Sequence, residues 1–328
     1  MAALRPVLAA LRDIKLAHTV FALPFALLAA FLARPLQPIW DGPPPEEGAL
    51  DSLRGMNTPD RYETDWRSFS LQLVLIVLCM FFARTWAMLV NRLADATFDA
   101  QNPRTAGRAV AAGTLSPRTG WLIALTSAAA FWLTTLVFLA FSNPWPPILA
   151  PVALIWIALY AYTKRFTALC HLFLGAALAI SPVCAAIAVD PSAVLSFSSP
   201  TLVSLLFLSA FITCWVAGFD IPYALADIDI DRTLNLHSIP ARFGVARALV
   251  ISRALHALAI VALVAFAVLA PPLGPITLVA AGAVAGLLFY EHLVLARRGV
   301  AGLPIAFFTV NGVISILFSG AAIIDTLV

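Results

Sequence analysis

Two short acidic clusters are where this sequence could do chemistry. The first reads Asn91-Arg-Leu-Ala-Asp95-Ala-Thr-Phe-Asp99, and the second reads Asp220-Ile-Pro-Tyr223-Ala-Leu-Ala-Asp227-Ile-Asp229-Ile-Asp231. Residues four apart lie one above another on a helix face. Asn91, Asp95 and Asp99 therefore form a row about 12 Å long, at about 1.5 Å of rise per residue. Tyr223, Asp227 and Asp231 repeat that spacing, whereas Asp229 points off their row. Carboxylates stacked this way repel one another unless cations sit between them. Hard carboxylate oxygens suit Mg²⁺, which is commonly held by one or two carboxylates together with substrate phosphates. Two such rows facing each other could hold Mg²⁺ against a diphosphate.

Basic residues near the rows fit that chemistry. Arg104 and Arg108 follow the first cluster in Asn102-Pro-Arg-Thr-Ala-Gly-Arg108, and Lys164 and Arg165 stand in Tyr162-Thr-Lys-Arg-Phe-Thr167. Guanidinium groups bind phosphate oxygens through paired donors. Arg84 lies seven residues before Asn91, on nearly the same face and within an apolar stretch. A charge at membrane depth normally faces a protein interior or a water-filled cavity. Arg84 is therefore a candidate to bind a carboxylate or phosphate below the metal site, or else it snorkels to the interface. Each feature also has a plainer reading: Lys164 and Arg165 as topology anchors, either cluster alone as a solvated helix end, Tyr223 as packing. His18 and Asn311 are polar residues within apolar stretches and read as interhelical hydrogen-bonding groups.

The elements that carry these residues are set by composition. Of 328 residues, 62% are hydrophobic and only 11% are charged, against roughly a quarter charged in a soluble domain. The chain is thus read as all-α and polytopic in a lipid bilayer, with no nucleic-acid partner. Spans of roughly 20 apolar residues are expected at 16–34, 69–90, 120–141, 147–163, 168–189, 200–219, 249–270, 274–294 and 303–326. Fifteen of the 20 basic residues fall in alternate connections, which puts the N-terminus and both acidic clusters inside and the C-terminus outside. The 35–68 segment, with Pro43 to Pro45 and seven acids, reads as an external insertion with no core of its own. Cys79, Cys170, Cys184 and Cys214 lie in apolar runs without metal-ligand spacing.

At these residues the chain resembles the UbiA superfamily of intramembrane prenyltransferases. That family carries Asn-x₃-Asp-x₃-Asp after its second helix and a second Asp-rich motif, often led by Tyr, after its sixth. The likeness extends to Ile14-Lys-Leu-Ala-His-Thr-Val-Phe-Ala-Leu-Pro24, Tyr162-Thr-Lys-Arg-Phe-Thr167, Leu236-His-Ser-Ile-Pro-Ala-Arg-Phe-Gly244 and Phe307-Phe-Thr-Val-Asn-Gly312. It covers the chain except for the 35–68 segment, which implies one transmembrane prenyltransferase domain over residues 1–328. The resemblance implies nine helices around a central cavity open to the cytoplasmic face of a bacterial inner membrane. It implies Mg²⁺ bound through Asn91, Asp95, Asp99, Asp227 and Asp231, with Arg104, Lys164 and Arg165 near the diphosphate. The implied reaction moves a polyprenyl group from its diphosphate to an aromatic acid in quinone biosynthesis.

Within the superfamily, the segment around Leu236-His-Ser-Ile-Pro is similar to 4-hydroxybenzoate polyprenyltransferases and their menaquinone-pathway relatives acting on 1,4-dihydroxy-6-naphthoate. The Phe-Thr-Val-Asn-Gly ending looks closer to the second group. Haem, chlorophyll or lipid acceptors are alternatives inside the superfamily. A transporter is the alternative outside it, although transporters commonly place their sites near the midplane and these acids sit at helix ends.

Overall fold

The computed structural model of the chain describes residues 21–35, 37–39, 61–196 and 198–328. Helix α1 (Leu23–Leu32) is followed by two short strands, β1 (Gln37–Ile39) and β2 (Arg61–Glu63). Then come α2 (Trp66–Ala94), the short α3 (Ala96–Gln101), α4 (Pro117–Leu136), α5 (Trp145–Thr163), α6 (Cys170–Val189) and α7 (Pro200–Ala224). The chain continues through α8 (Ile228–Thr233), α9 (Ile239–Leu269), α10 (Pro275–Arg298), a π-helical stretch over Pro304–Val310, and α11 (Asn311–Asp325). Among the described residues, eight helices are long and apolar enough to cross a membrane. Helix α1 is the described part of the span expected at 16–34. Arg5, Arg12, Lys15 and His18 lie outside the described residues.

Sequence punctuation explains where these helices begin. Asp65 accepts hydrogen bonds from the Arg67 and Ser68 backbone N–H groups at the start of α2. Ser116, Ser199 and Ser238 cap α4, α7 and α9 in the same way, each with proline in the first turn. A short polar side chain satisfies a donor that the helix cannot, and proline has no N–H to lose there. The second expected span, 69–90, accordingly starts earlier and ends later, at Trp66 and Ala94. The two ends of the 35–68 segment are paired. Gln37 pairs with Glu63 and Ile39 with Arg61 in an antiparallel ribbon, a small departure from an all-helical chain.

Three prolines sit inside spans, and each frees a carbonyl four residues earlier. Pro151 frees the Pro147 carbonyl, which accepts from the Trp132 indole N–H at 3.2 Å. Pro182 frees that of Leu178, which accepts from the Ser181 hydroxyl at 2.8 Å. Pro222 frees that of Gly218, which accepts from the Ser252 hydroxyl at 2.6 Å. In hydrocarbon no water would fill those places, so side chains must.

Helix α7 is the most buried span and packs between α6 and α9. Two glycines permit that approach. A methyl group at Gly175 would stand 2.3 Å from the Thr213 carbonyl oxygen, and one at Gly218 would stand 2.1 Å from the His256 ring. The core around α7 is aromatic: Phe211 and Trp215 stack with centroids 5.6 Å apart, and Phe25 of α1 meets both rings at 5.7 Å. Outward faces expose Leu122, Val152, Val261 and Val279, as spans facing lipid should. Gly244, at φ 79°, breaks α9 after its first turns, so the apolar stretch of that helix runs beyond the break.

Candidate active site

Helix α2 does not stop cleanly at the first acidic cluster. Asp95 stands between α2 and α3, yet the Asp95 N–H reaches the Asn91 carbonyl at 3.0 Å and the Asp99 N–H reaches the Asp95 carbonyl at 2.8 Å. The four-residue spacing therefore survives the bend, and Asn91, Asp95 and Asp99 keep a common face. The second cluster is bent similarly. Helix α7 ends at Ala224, a 3₁₀ turn over Leu225–Asp227 follows, and α8 carries Asp231. Both rows line one cavity of about 630 Å³.

The rows are tied together by side chains from the segment after α3. The Asn102 side-chain amide donates to Asp227 Oδ1 at 2.8 Å, and Arg104 Nε donates to the same oxygen at 2.8 Å. Arg104 Nη2 donates to Asp227 Oδ2, and Arg104 Nη1 to the Tyr223 hydroxyl at 2.9 Å. Burial works against the Arg104 charge, but the Asp227 carboxylate outweighs it and holds the guanidinium more firmly protonated than usual. The Tyr223 ring lies between this guanidinium, 5.0 Å away, and the Phe307 ring, stacked at 4.4 Å.

Each remaining acid also has a partner. Arg108 Nη1 donates to both oxygens of Asp99 at 2.7 and 2.9 Å. Lys164 Nζ is 2.7 Å from Asp95 Oδ2, and the Asn91 amide donates to that oxygen at 3.3 Å. Ser238 donates to Asp231 Oδ2 at 2.7 Å. Asp95 is 2% exposed, and burial pushes its carboxyl above the usual carboxylate range, against the pull of Lys164.

These residues fit the expected divalent cation. Asp95 Oδ1 is buried without a hydrogen bond, with Arg165 Nη2 3.8 Å away. A buried carboxylate oxygen left bare is costly and is suited to a hard cation. Among the described residues, no three His, Cys, Asp or Glu side chains converge as a metal cage. That is compatible with Mg²⁺, which takes one or two carboxylates and completes its shell with water and phosphate oxygens.

Of the residues singled out from sequence, Arg84, Asn91, Asp95, Asp99, Arg104, Lys164, Tyr223, Asp227 and Asp231 all line the cavity. Arg165 is not part of that wall. Its guanidinium donates to the Ala94 carbonyl at 2.6 Å, at the end of α2, and lies over the Phe98 and Tyr162 rings at 5.3 and 5.0 Å. Asp229 is exposed, as its offset from the row implies. Asn311 does bond between helices, accepting from the Trp215 indole N–H at 2.6 Å. The four cysteines are free thiols.

His171 is the functional candidate that sequence reasoning missed. It is buried in the cavity wall and bonds through Nδ1 to Asp220 Oδ2 at 2.7 Å. Its Nε2 accepts from the Ile239 backbone N–H at 3.3 Å, so Nδ1 carries the proton and donates to Asp220. A histidine at the start of an apolar run was the available signal. Its partner lies 49 residues away.

A profile described as the UbiA prenyltransferase family matches residues 62–316. The chain belongs to that family. Curated relatives include the 4-hydroxybenzoate octaprenyltransferase of Shewanella pealeana, 28% identical over 171 residues, covering 52% of this chain and 55% of the relative. The protein of the same name from Francisella tularensis subsp. novicida is 30% identical over 174 residues, covering 52% and 56%. The chain spans about half the length of the curated relatives it matches. Among solved structures, a UbiA homolog from Aeropyrum pernix K1 superposes with a TM-score of 0.75 at 28% identity, covering 96% of this chain and 99% of that one. A UbiA homolog from Archaeoglobus fulgidus bound to GPP and Mg²⁺ has a TM-score of 0.64 at 20% identity, covering 98% and 100%.

Proposed function

We propose that this membrane protein transfers a polyprenyl group from its diphosphate to an aromatic acid at the cytoplasmic face of a bacterial inner membrane, as one transmembrane domain. The observation that carries the reading is that both acidic rows line one cavity, with Asp95, Asp99 and Asp227 each paired to a cationic side chain there and apolar residues lining the rest of the wall. The names of the curated relatives support 4-hydroxybenzoate as the acceptor. The family likeness keeps 1,4-dihydroxy-6-naphthoate as the second acceptor to assay. The relative bound to GPP and Mg²⁺ shares only the fold at its level of identity, and supports a cavity shaped for such a donor.

Asn91, Asp95 and Asp99 would hold Mg²⁺ on one side of the diphosphate, and Asp227 and Asp231 on the other. Bound there, Mg²⁺ supplies positive charge to the departing diphosphate oxygens. Arg104 and Lys164 release their carboxylates and donate to the same leaving group, an electrostatic stabilisation set up before the bond breaks. Arg165 supports them indirectly, by fixing the end of α2 beside Asp95. Arg84, deeper in the wall, holds the acceptor carboxylate. The apolar walls exclude water that would quench the allylic cation. Attack by the electron-rich ring leaves a ring proton, which Asp220 takes while His171 holds its other oxygen.

The test uses isolated membranes supplied with Mg²⁺, a radiolabelled polyprenyl diphosphate and 4-hydroxybenzoate. Asp95→Ala and Asp227→Ala should each lower transfer by at least about 100-fold while membrane insertion is unchanged. Full activity in either variant sinks the site.

A further inference from the structure

The main cavity does not end where its polar wall ends. Between α2, α4, α5 and α6 lies a second cavity of about 90 Å³, lined almost wholly by apolar atoms. Met80, Phe131, Ala153, Ser181 and Cys184 border both spaces, so only these side chains separate them. Met80 is unbranched and able to change rotamer, which makes it a yielding part of that boundary. Ile76, Cys79, Ala150 and Ala185 line the smaller space alone.

We propose that this second cavity receives the distal isoprenoid units of the donor and so tunes which prenyl chain lengths the protein prefers. The proposal rests on the prenyl-diphosphate reading above. Its geometry is set by α2. Asp95 marks the acidic end and Cys79 the small cavity, 16 residues away, or about 24 Å at 1.5 Å per residue. A diphosphate held at the acidic mouth directs its hydrocarbon tail inward along that line. The small cavity continues the path and offers hydrocarbon little polar surface to desolvate. The bilayer is equally apolar, so binding there discriminates by shape and length rather than by affinity for hydrocarbon as such. A donor too short to reach the cavity is indifferent to it, and one long enough to reach it is not.

Ala150→Leu and Ala185→Leu fill the small cavity without touching the main one. In purified protein in nanodiscs, kcat/KM for geranyl diphosphate should stay within about twofold of wild type. For octaprenyl diphosphate it should fall at least about tenfold, within the usual range for a methylene-scale change in an apolar pocket. Equal effects on both donors overturn the proposal, because they place the tail in lipid or report general damage. Should both variants fail to fold, the wild-type protein decides. A geranylgeranyl diphosphate carrying a diazirine on its last unit should crosslink to Ile76, Ala150 or neighbouring wall residues. Crosslinks confined to lipid or to outward-facing residues overturn it. Absence of transfer from every prenyl diphosphate would instead remove the proposed function, and this inference with it.

Discussion

Lys164, Arg104 and Arg108 each hold a carboxylate that lies in the rows proposed above to receive a metal-bound diphosphate. The contacts explain how closely set acids coexist in a low-dielectric wall, since an unpaired buried charge is far more costly than a paired one. Under the proposed reaction the donor competes for these cations, since phosphate oxygens suit the same fork of donors. Arg104 is the clearest case, because it grips Asp227 through Nε and Nη2 and Tyr223 through Nη1. Lysine keeps the charge but not the fork. Arg104→Lys should therefore raise the KM for the diphosphate about tenfold with a smaller effect on the acid, measured in steady-state assays with each substrate varied. Arg84→Ala should do the reverse, raising the KM for the acid by about 10- to 100-fold, the worth of a hydrogen bond to a charged group. Equal changes in both constants would reject its carboxylate role.

At the scale of elements, the site depends on places where regular helices are interrupted. The bend at Asp95, the 3₁₀ turn after Ala224 and the π-helical Pro304–Val310 all border the cavity. The last is held by Asn311, whose amide donates to the Ala306 and Phe307 carbonyls at 2.9 and 3.3 Å while its oxygen accepts from Trp215. These bonds fasten the widened turn to the start of α11 and to α7. Phe307, within that turn, is the ring on which Tyr223 stacks. Asn311→Ala strands the Trp215 N–H and loosens the turn. It should cost about 1–2 kcal/mol, read as a lower thermal midpoint in detergent, and lower kcat more than it changes the KM for the acid.

For the whole molecule, the uneven placement of Lys and Arg predicts an orientation with the N-terminus inside. A periplasmic reporter fused after Val328 should be active, and one fused after Arg298 inactive. The reverse pattern would put both acidic rows on the wrong side for a cytoplasmic donor. The spans themselves were legible because apolar length is a local property: helices found at Trp145–Thr163 and Cys170–Val189 lie within two residues of expectation. The start of α2 was less legible. Trp66, Arg67 and Ser68 read as part of a polar segment, and only the Asp65 cap shows that they are helical.

By itself the sequence determined which residues share a helix face, since a four-residue period needs no partner to be recognised. It thereby picked out both acidic rows and the shortage of charge elsewhere. Tertiary structure decided what those rows meet. Asn102 reaches Asp227 across 125 positions, Trp215 reaches Asn311 across 96, and His171 reaches Asp220 across 49. Tertiary packing also removed Arg165 from the cavity wall, because the end of α2 offered its guanidinium a bare carbonyl and two aromatic faces. Such pairings arise from how the spans pack, and in a bilayer that packing follows from small residues, freed carbonyls and buried polar groups on many helices at once.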